Sequence, residues 1–249
     1  MTAVLDLRRE ARQTPVALDV TLTLDDEARR IAVAEWTGRM VDEQAASRLF
    51  AGLLPQMMRA GVDAQFQAAT ADAVVDELRH ARLCAAIVQA LGGEARASLT
   101  GSEDVPRHDG VGAVEGLLRN VLDVSCLEET VDVAVLENRY RRARESTFRR
   151  VIAEILDDEI NHSRLGWRLL QHLEPRIDAR MRERLGAYLI PGFARLFERH
   201  AATTRDLLVE VVNEVIVPRL EAFELPAREA LQAALAPPAD DAAIWAATD

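Results

Sequence analysis

Residues 76–80 read Asp-Glu-Leu-Arg-His, and the related sequence Asp-Glu-Ile-Asn-His returns at residues 158–162. In both stretches a glutamate precedes a histidine by three positions, within a segment whose apolar residues recur at helical spacing. Residues three apart lie on one face of a helix, so each carboxylate and imidazole can bind one metal ion together. A structural core would not bury such a pair without a partner, because that costs several kcal/mol. The two stretches therefore predict two metal-binding helix faces.

Two further long helical segments place acidic residues on their apolar stripes. Glu43 is the one acidic residue on the stripe of the first segment. In the segment from about residue 113 to 140, the stripe passes through Glu128 or Glu129, and the apolar Val133 one turn later weakly favours Glu129. One glutamate from each of two helices, with a Glu-x-x-His from each of two others, is the ligand set of di-iron and di-manganese bundles. The sequence therefore predicts a di-metal site between four helices.

The composition of the 249-residue chain is typical of an all-α protein, with little aromatic content. The formal net charge of −11 argues against a nucleic-acid partner, which would require a basic face. We find no signal peptide and no apolar run of transmembrane length, so we expect a cytoplasmic protein with no membrane partner. Cys84 and Cys126 lie in helical segments and are expected to be buried thiols rather than a disulfide.

Turn and proline signals divide the chain into four expected parts. These are an N-terminal arm at residues 1–28, a four-helix bundle at 29–175, further helices packed on the bundle at 176–236, and a flexible tail at 237–249. The arm contains an alternating run, residues 16–24, that could be extended. Among the C-terminal helices, one segment is expected to run from about residue 177 to 186, and Pro191 is expected to open the next one.

Several stretches carry a resemblance to a known superfamily. They are EQAAS at residues 43–47, DELRHARLC at 76–84, CLEET at 126–130, and DEINH at 158–162 with LGW at 165–167. With them the chain resembles the ferritin-like superfamily of di-metal carboxylate proteins over roughly residues 30–175, and within it bacterial ferritin-like proteins of the di-iron oxygenase or oxidase type. In this resemblance Glu129, before Thr130, falls on the ligand position, which ranks it above Glu128.

The resemblance implies a bundle in which a crossover between helices 2 and 3 joins two pairs of antiparallel helices around a di-iron centre. The glycine-containing segment 93–112 is long enough for that crossover. The chain also departs from several branches of the superfamily. It has Cys84 where the radical-forming subunit of ribonucleotide reductase has a tyrosine, Ile155 where arylamine N-oxygenases add a histidine, and no rubredoxin-like Cys-x-x-Cys module. Its acidic composition disfavours a tRNA substrate.

We expect the metal ligands to form two sets, one for each ion: Glu43, Glu77 and His80, and Glu129, Glu159 and His162. Glu77 and Glu159 are the expected bridges between the ions and the residues closest to the chemistry. Oxygen donors with one nitrogen per ion suit two iron ions, in the Fe2+ and Fe3+ states, and manganese is a possible replacement. Asp76 and Asp158, beside the bridging glutamates, are expected to form salt bridges or to orient a histidine.

The ligand set and the resemblance together predict a non-haem di-iron oxygenase or oxidase. Such an enzyme would use O2 as co-substrate and an external electron donor to oxidise a small organic substrate, with secondary metabolism as one setting. The alternative is a ferroxidase or other iron-handling protein with no organic substrate. The C-terminal helices could frame a substrate pocket or form a homodimer interface, and the two arrangements carry equal weight at this point.

Overall fold

The computed structural model describes residues 3–18, 23–99, 104–200 and 204–236. The chain forms two compact units, Met1–Leu173 and Glu174–Asp249. In the first unit the strands and helices are β1 Ala3–Asp6, α1 Arg8–Gln13, α2 Asp26–Ala60, α3 Ala64–Ala90, β2 Arg96–Leu99, α4 Ala113–Val121, α5 Glu129–Arg142 and α6 Ser146–Leu173. A π-helix, Leu122–Glu128, joins α4 to α5 without a break, so these segments form one long helix. The all-α class predicted from the sequence is confirmed.

Local signals explain where the first long helix, α2, begins and ends. The Asp25 side chain accepts a hydrogen bond from the Ala28 backbone N–H at 2.7 Å, which caps the N-terminus of α2. At the other end Gly61 takes a left-handed conformation, with φ of 65°, that glycine adopts without steric cost. Only three residues then separate α2 from α3, so the two helices are antiparallel neighbours.

The core of the first unit lies between the apolar faces of the long helices. Met40 of α2, Ile87 of α3, Leu136 of α5 and Ile155 of α6 belong to one cluster of buried side chains. Burying each such side chain contributes roughly 1.5–3 kcal/mol to folding. Cys84 and Cys126 are buried and form no disulfide, as the sequence predicted.

The N-terminal residues, which the sequence predicts as an arm, contain regular secondary structure. β1 pairs with β2 in an antiparallel ladder that matches Ala3 with Leu99, and the short helix α1 follows. The sequence does not predict this pair, because each strand has only four residues and depends on packing against the core through Leu5.

Some predictions fall on parts of the chain outside the described residues. These parts are residues 19–22 of the alternating run, residues 100–103 of the expected crossover, and the expected tail at 237–249. The crossover between helices 2 and 3 therefore stays a prediction. Where the chain is described, no helix combines the length and the apolar character needed to cross a membrane.

The second unit is helical where it is described. It contains a 3-10 turn Glu174–Arg176, then α7 Ala179–Arg199, α8 Arg205–Val211, a π-helix Val212–Ile216, α9 Val217–Ala222 and α10 Ala227–Leu235. The expectation that Pro191 opens a helix is wrong, because α7 continues through it. Proline removes one helix hydrogen bond, and the burial of Leu189 and Phe193 on either side of it stabilises the helix there. That these helices pack on the bundle stays a prediction.

Candidate metal centre

The six residues predicted as metal ligands lie together in the interior of the first unit. Each is at most 5% exposed. Glu43 comes from α2, Glu77 and His80 from α3, Glu129 from the start of α5, and Glu159 and His162 from α6. The sequence therefore identified side chains from four helices that the structure brings to one place.

The potential ligand atoms form two overlapping groups. The first group is Glu43, Glu77, His80 and Glu159, and the second is Glu77, Glu129, Glu159 and His162. Within each group, one oxygen or nitrogen atom of every residue lies within 4.8 Å of the others. Glu77 and Glu159 belong to both groups, as bridging ligands would. The centroids of the His80 and His162 rings are 6.0 Å apart. This separation leaves room for two ions a few Å apart.

Both histidines direct Nδ1 toward the glutamates. Nδ1 of His162 lies 3.0 Å from Glu159 Oε2, where it makes a hydrogen bond, and 2.9 Å from Glu77 Oε1. Nδ1 of His80 lies 3.4 Å from an oxygen of Glu43 and 3.4 Å from an oxygen of Glu159. Each ligand group thus has one imidazole that faces its carboxylates through Nδ1. The Nε2 atom of each ring is left for other partners.

Several polar atoms of the cluster lack the partners that a purely structural network would supply. Neither carboxylate oxygen of Glu77, nor Nδ1 of His80, makes a hydrogen bond of ordinary geometry with the described residues. Glu77 and Glu159 would have to share the single N–H at Nδ1 of His162. Each unsatisfied buried polar atom costs about 1–3 kcal/mol. Buried, unsatisfied oxygen and nitrogen atoms that converge in this way fit a pair of metal ions.

The buried carboxylates and imidazoles of the cluster shift one another's pKa values. Burial, together with the charge of Glu159, raises the pKa of Glu77 to about 8. Burial and the same neighbour raise the pKa of Glu129 well above its usual range. Burial also acts on Glu159, but the hydrogen bond from His162 and the nearby imidazole of His80 hold its pKa well below the usual range. Burial and the charge of Glu159 therefore favour the protonated forms of Glu77 and Glu129, so divalent ions would compete with protons for these carboxylates.

Two aspartates support the histidines from the neighbouring helix. Asp158 of α6 lies 3.1 Å from Nε2 of His80 on α3, and Asp76 of α3 lies 3.5 Å from Nε2 of His162 on α6. Arg79 forms salt bridges with both aspartates. A carboxylate on the far nitrogen of a metal-binding histidine fixes its tautomer and ring orientation. The sequence suggested this role for the aspartates but did not indicate Arg79.

Close packing places Glu129 next to the ligands of α6. The π-helix ends immediately before Glu129, and a Cβ added to Gly166 of α6 would lie 2.3 Å from Cβ of Ser125 in that π-helix. Beside this contact, Thr130 and Ser163 share a hydrogen bond of 2.9 Å between their hydroxyl oxygens. The side chain of Glu128, the alternative ligand, belongs to neither group.

Arg39 is a charged residue of the site that the sequence analysis did not identify. Its Nε lies 2.7 Å from Glu43 Oε1, and its Nη2 lies 4.0 Å from Glu159 Oε1. Burial opposes the charge of Arg39, but the nearby charge of Glu43 helps to keep its pKa above the usual range. The signal was present in the sequence, because Arg39 precedes Glu43 by one helical turn on the same face.

Replacing Asp158 by alanine is expected to weaken metal binding about 10–100-fold. His80 would lose its partner at Nε2, and Arg79 would lose one of its two aspartates. An equilibrium titration of the metal-free protein with Mn(II) would measure the change. Asp157→Ala is the matched control. Asp157 is an exposed aspartate on the same helix, and we expect its side chain to contact neither the metal ligands nor the ions. Equal affinities for the two variants would contradict a supporting role for Asp158.

Comparisons with known proteins agree with this architecture. No family model matches the chain, and no curated protein matches it. Among solved structures, it is similar to a protein from Synechococcus described as protein 19 with aldehyde deformylating oxidase activity. The TM-score is 0.59 and the sequence identity 21%, over 84% of this chain and 98% of that chain. Identity at this level shows the fold alone. The ferritin-like fold predicted from the sequence is confirmed, and its interior holds the carboxylates and histidines that the resemblance implies.

Proposed function

We propose that this protein is a di-metal oxidoreductase that uses O2 to oxidise a small organic substrate. The observation that carries the proposal is the pair of buried ligand groups that share Glu77 and Glu159 within a ferritin-like fold. Two iron ions are the proposed cofactors, and the same donors would accept manganese. When bound, the metal pair supplies the electrons that reduce O2, and an external donor restores them.

The surrounding residues would bind, orient and shield this pair. Glu77 and Glu159 would be shared by the two ions. Glu43 and Glu129 would each serve as a ligand to one ion only. The Phe50 ring is fully buried and lies 5.3 Å from the His162 ring, so it helps to exclude water from that side of the site. Exclusion of water protects an oxidising centre from side reactions.

Aldehydes are the first substrate class to test. The solved structure with the same fold is described by an aldehyde deformylating oxidase activity, and this chain matches nearly all of that protein's length. That similarity supports the choice of a first screen, and other small organic molecules would follow. The ferroxidase alternative uses the same residues and differs in what happens to the metal after oxidation.

Anaerobic loading with Fe(II), followed by exposure to O2, tests the proposed function. We expect about two iron ions per chain and rapid O2 uptake with a change in visible absorption. Loading and O2 uptake should be unchanged in Glu128→Ala, because Glu128 is outside both ligand groups. Iron accumulation far beyond two ions per chain would instead favour iron storage. The absence of tight metal binding would exclude the di-metal function.

A further inference from the structure

We infer that Arg39 makes the two metal positions unequal, so that the position containing Glu43 binds its ion more weakly and fills second. The inference rests on the proposed di-metal function and deepens it. It assigns Arg39 as a positioning residue that controls the order of metal loading and the position from which an ion is first lost.

The first step is the location of the guanidinium. Arg39 lies one turn before Glu43 on α2, and its side chain is only 11% exposed. Its Nε lies 2.7 Å from Glu43 Oε1, a contact with one of the carboxylates proposed to bind metal. Water screens so buried a charge only weakly, so its effect on a neighbouring cation is strong.

The second step is competition for Glu43. This glutamate directs Oε1 to Arg39 and Oε2 to Nδ1 of His80, at 2.7 Å and 3.4 Å. An ion that enters this position must displace the guanidinium or share the carboxylate with it. Both cost free energy, because the guanidinium and the divalent ion repel each other.

The third step is the contrast with the other position. Glu129, which takes the place of Glu43 in the second group, has a carboxylate oxygen within 4.8 Å of one of Glu159. No arginine is within 4 Å of a Glu129 oxygen in the part of the chain that the structure describes. Arg39 does approach Glu159 at 4.0 Å, but Glu159 belongs to both groups and so affects both positions. The direct contact with Glu43 is therefore what separates the two positions.

The test is a titration of the full-length, metal-free protein with Co(II). Calorimetry and visible absorption would measure the binding. We expect two binding steps that differ by at least about tenfold in dissociation constant. In Arg39→Gln the weaker step should tighten about tenfold, while the tighter step should change by less than about threefold. Arg39→Lys retains the positive charge and should keep much of the difference between the steps.

Two controls separate the local effect from general ones. Arg30→Gln removes an exposed arginine from the same helix, where it pairs with Glu27, and should leave both steps unchanged. Glu43→Gln should remove the weaker step and preserve the tighter one. This second variant tests the order of filling even if Arg39→Gln does not fold.

The outcomes distinguish the inference from the proposed function. Two equal steps in the unmodified protein, or loss of the tighter step in Glu43→Gln, would overturn the inference while leaving a di-metal site in place. Weaker binding of both ions in a folded Arg39→Gln protein would also overturn it, since Arg39 would then organise the whole cluster. If the unmodified protein bound neither Co(II) nor Fe(II), both the inference and the proposed function would be excluded.

Discussion

Replacing Glu77 by alanine is expected to remove both metal ions, lowering the content from about two ions per chain to nearly none. Glu77 supplies an oxygen to both ligand groups, so neither position stays complete without it. Glu159→Ala should have the same effect for the same reason. The content would be measured by elemental analysis after anaerobic loading with Fe(II) and removal of unbound metal.

The comparison with the unshared glutamates makes this prediction specific. Glu43→Ala and Glu129→Ala should each remove about one ion per chain, because each belongs to a single group. Glu128→Ala should retain both ions. Circular dichroism of each metal-free variant would show that the helices are intact. One tightly held ion in Glu77→Ala would contradict its bridging role, and an inverted result at Glu128 and Glu129 would reverse the assignment of the ligand.

The four long helical segments of the first unit and five of the six clustered residues could be predicted from local patterns. The last bundle helix is predicted and observed over residues 146–173, because its apolar spacing is regular and a short turn precedes it. The Glu-x-x-His pairs in Asp76–His80 and Asp158–His162 are visible because three-residue spacing defines one helix face. Glu43 follows from the same periodicity on α2.

For the sixth residue, periodicity gives only a weak indication, although Glu129, the residue it favours, is the one in the cluster. The choice between Glu128 and Glu129 depended on a spacing of 3.6 residues per turn, but the π-helix Leu122–Glu128 winds more widely. One extra residue in a turn rotates the following side chains by about 100° relative to a regular helix. The apolar pattern before the π-helix therefore cannot predict which residue after it faces the site.

Contacts between helices were the other feature that the sequence could not supply. Arg79 joins aspartates from α3 and α6, and these two aspartates are 82 positions apart in the chain. Such contacts depend on how two helices are aligned, which the period of either helix does not determine. Arg39 differs, since its partner Glu43 is one turn away and only the burial of the pair was unknown.

Gly166→Ala is expected to destabilise the metal-free protein by about 1–3 kcal/mol. An added Cβ would lie 2.3 Å from Cβ of Ser125 and 3.1 Å from the Ser125 backbone carbon, so α6 and the π-helix would have to separate. Backbone in the middle of two packed helices cannot move aside as the end of a flexible side chain can. Urea unfolding followed by circular dichroism would measure the loss.

Gly38→Ala is the matched control, because Gly38 also lies within a long helix but has open space at its Cβ position. That variant should gain about 0.5–1 kcal/mol, since alanine loses less conformational freedom than glycine when a helix forms. Gly166 also lies one turn after His162, and the π-helix it touches leads directly into Glu129. Separation at Gly166 should therefore weaken metal binding as well as folding, whereas Gly38→Ala should leave binding unchanged. Equal stability changes in the two variants would show that the close approach at Gly166 does not constrain the site.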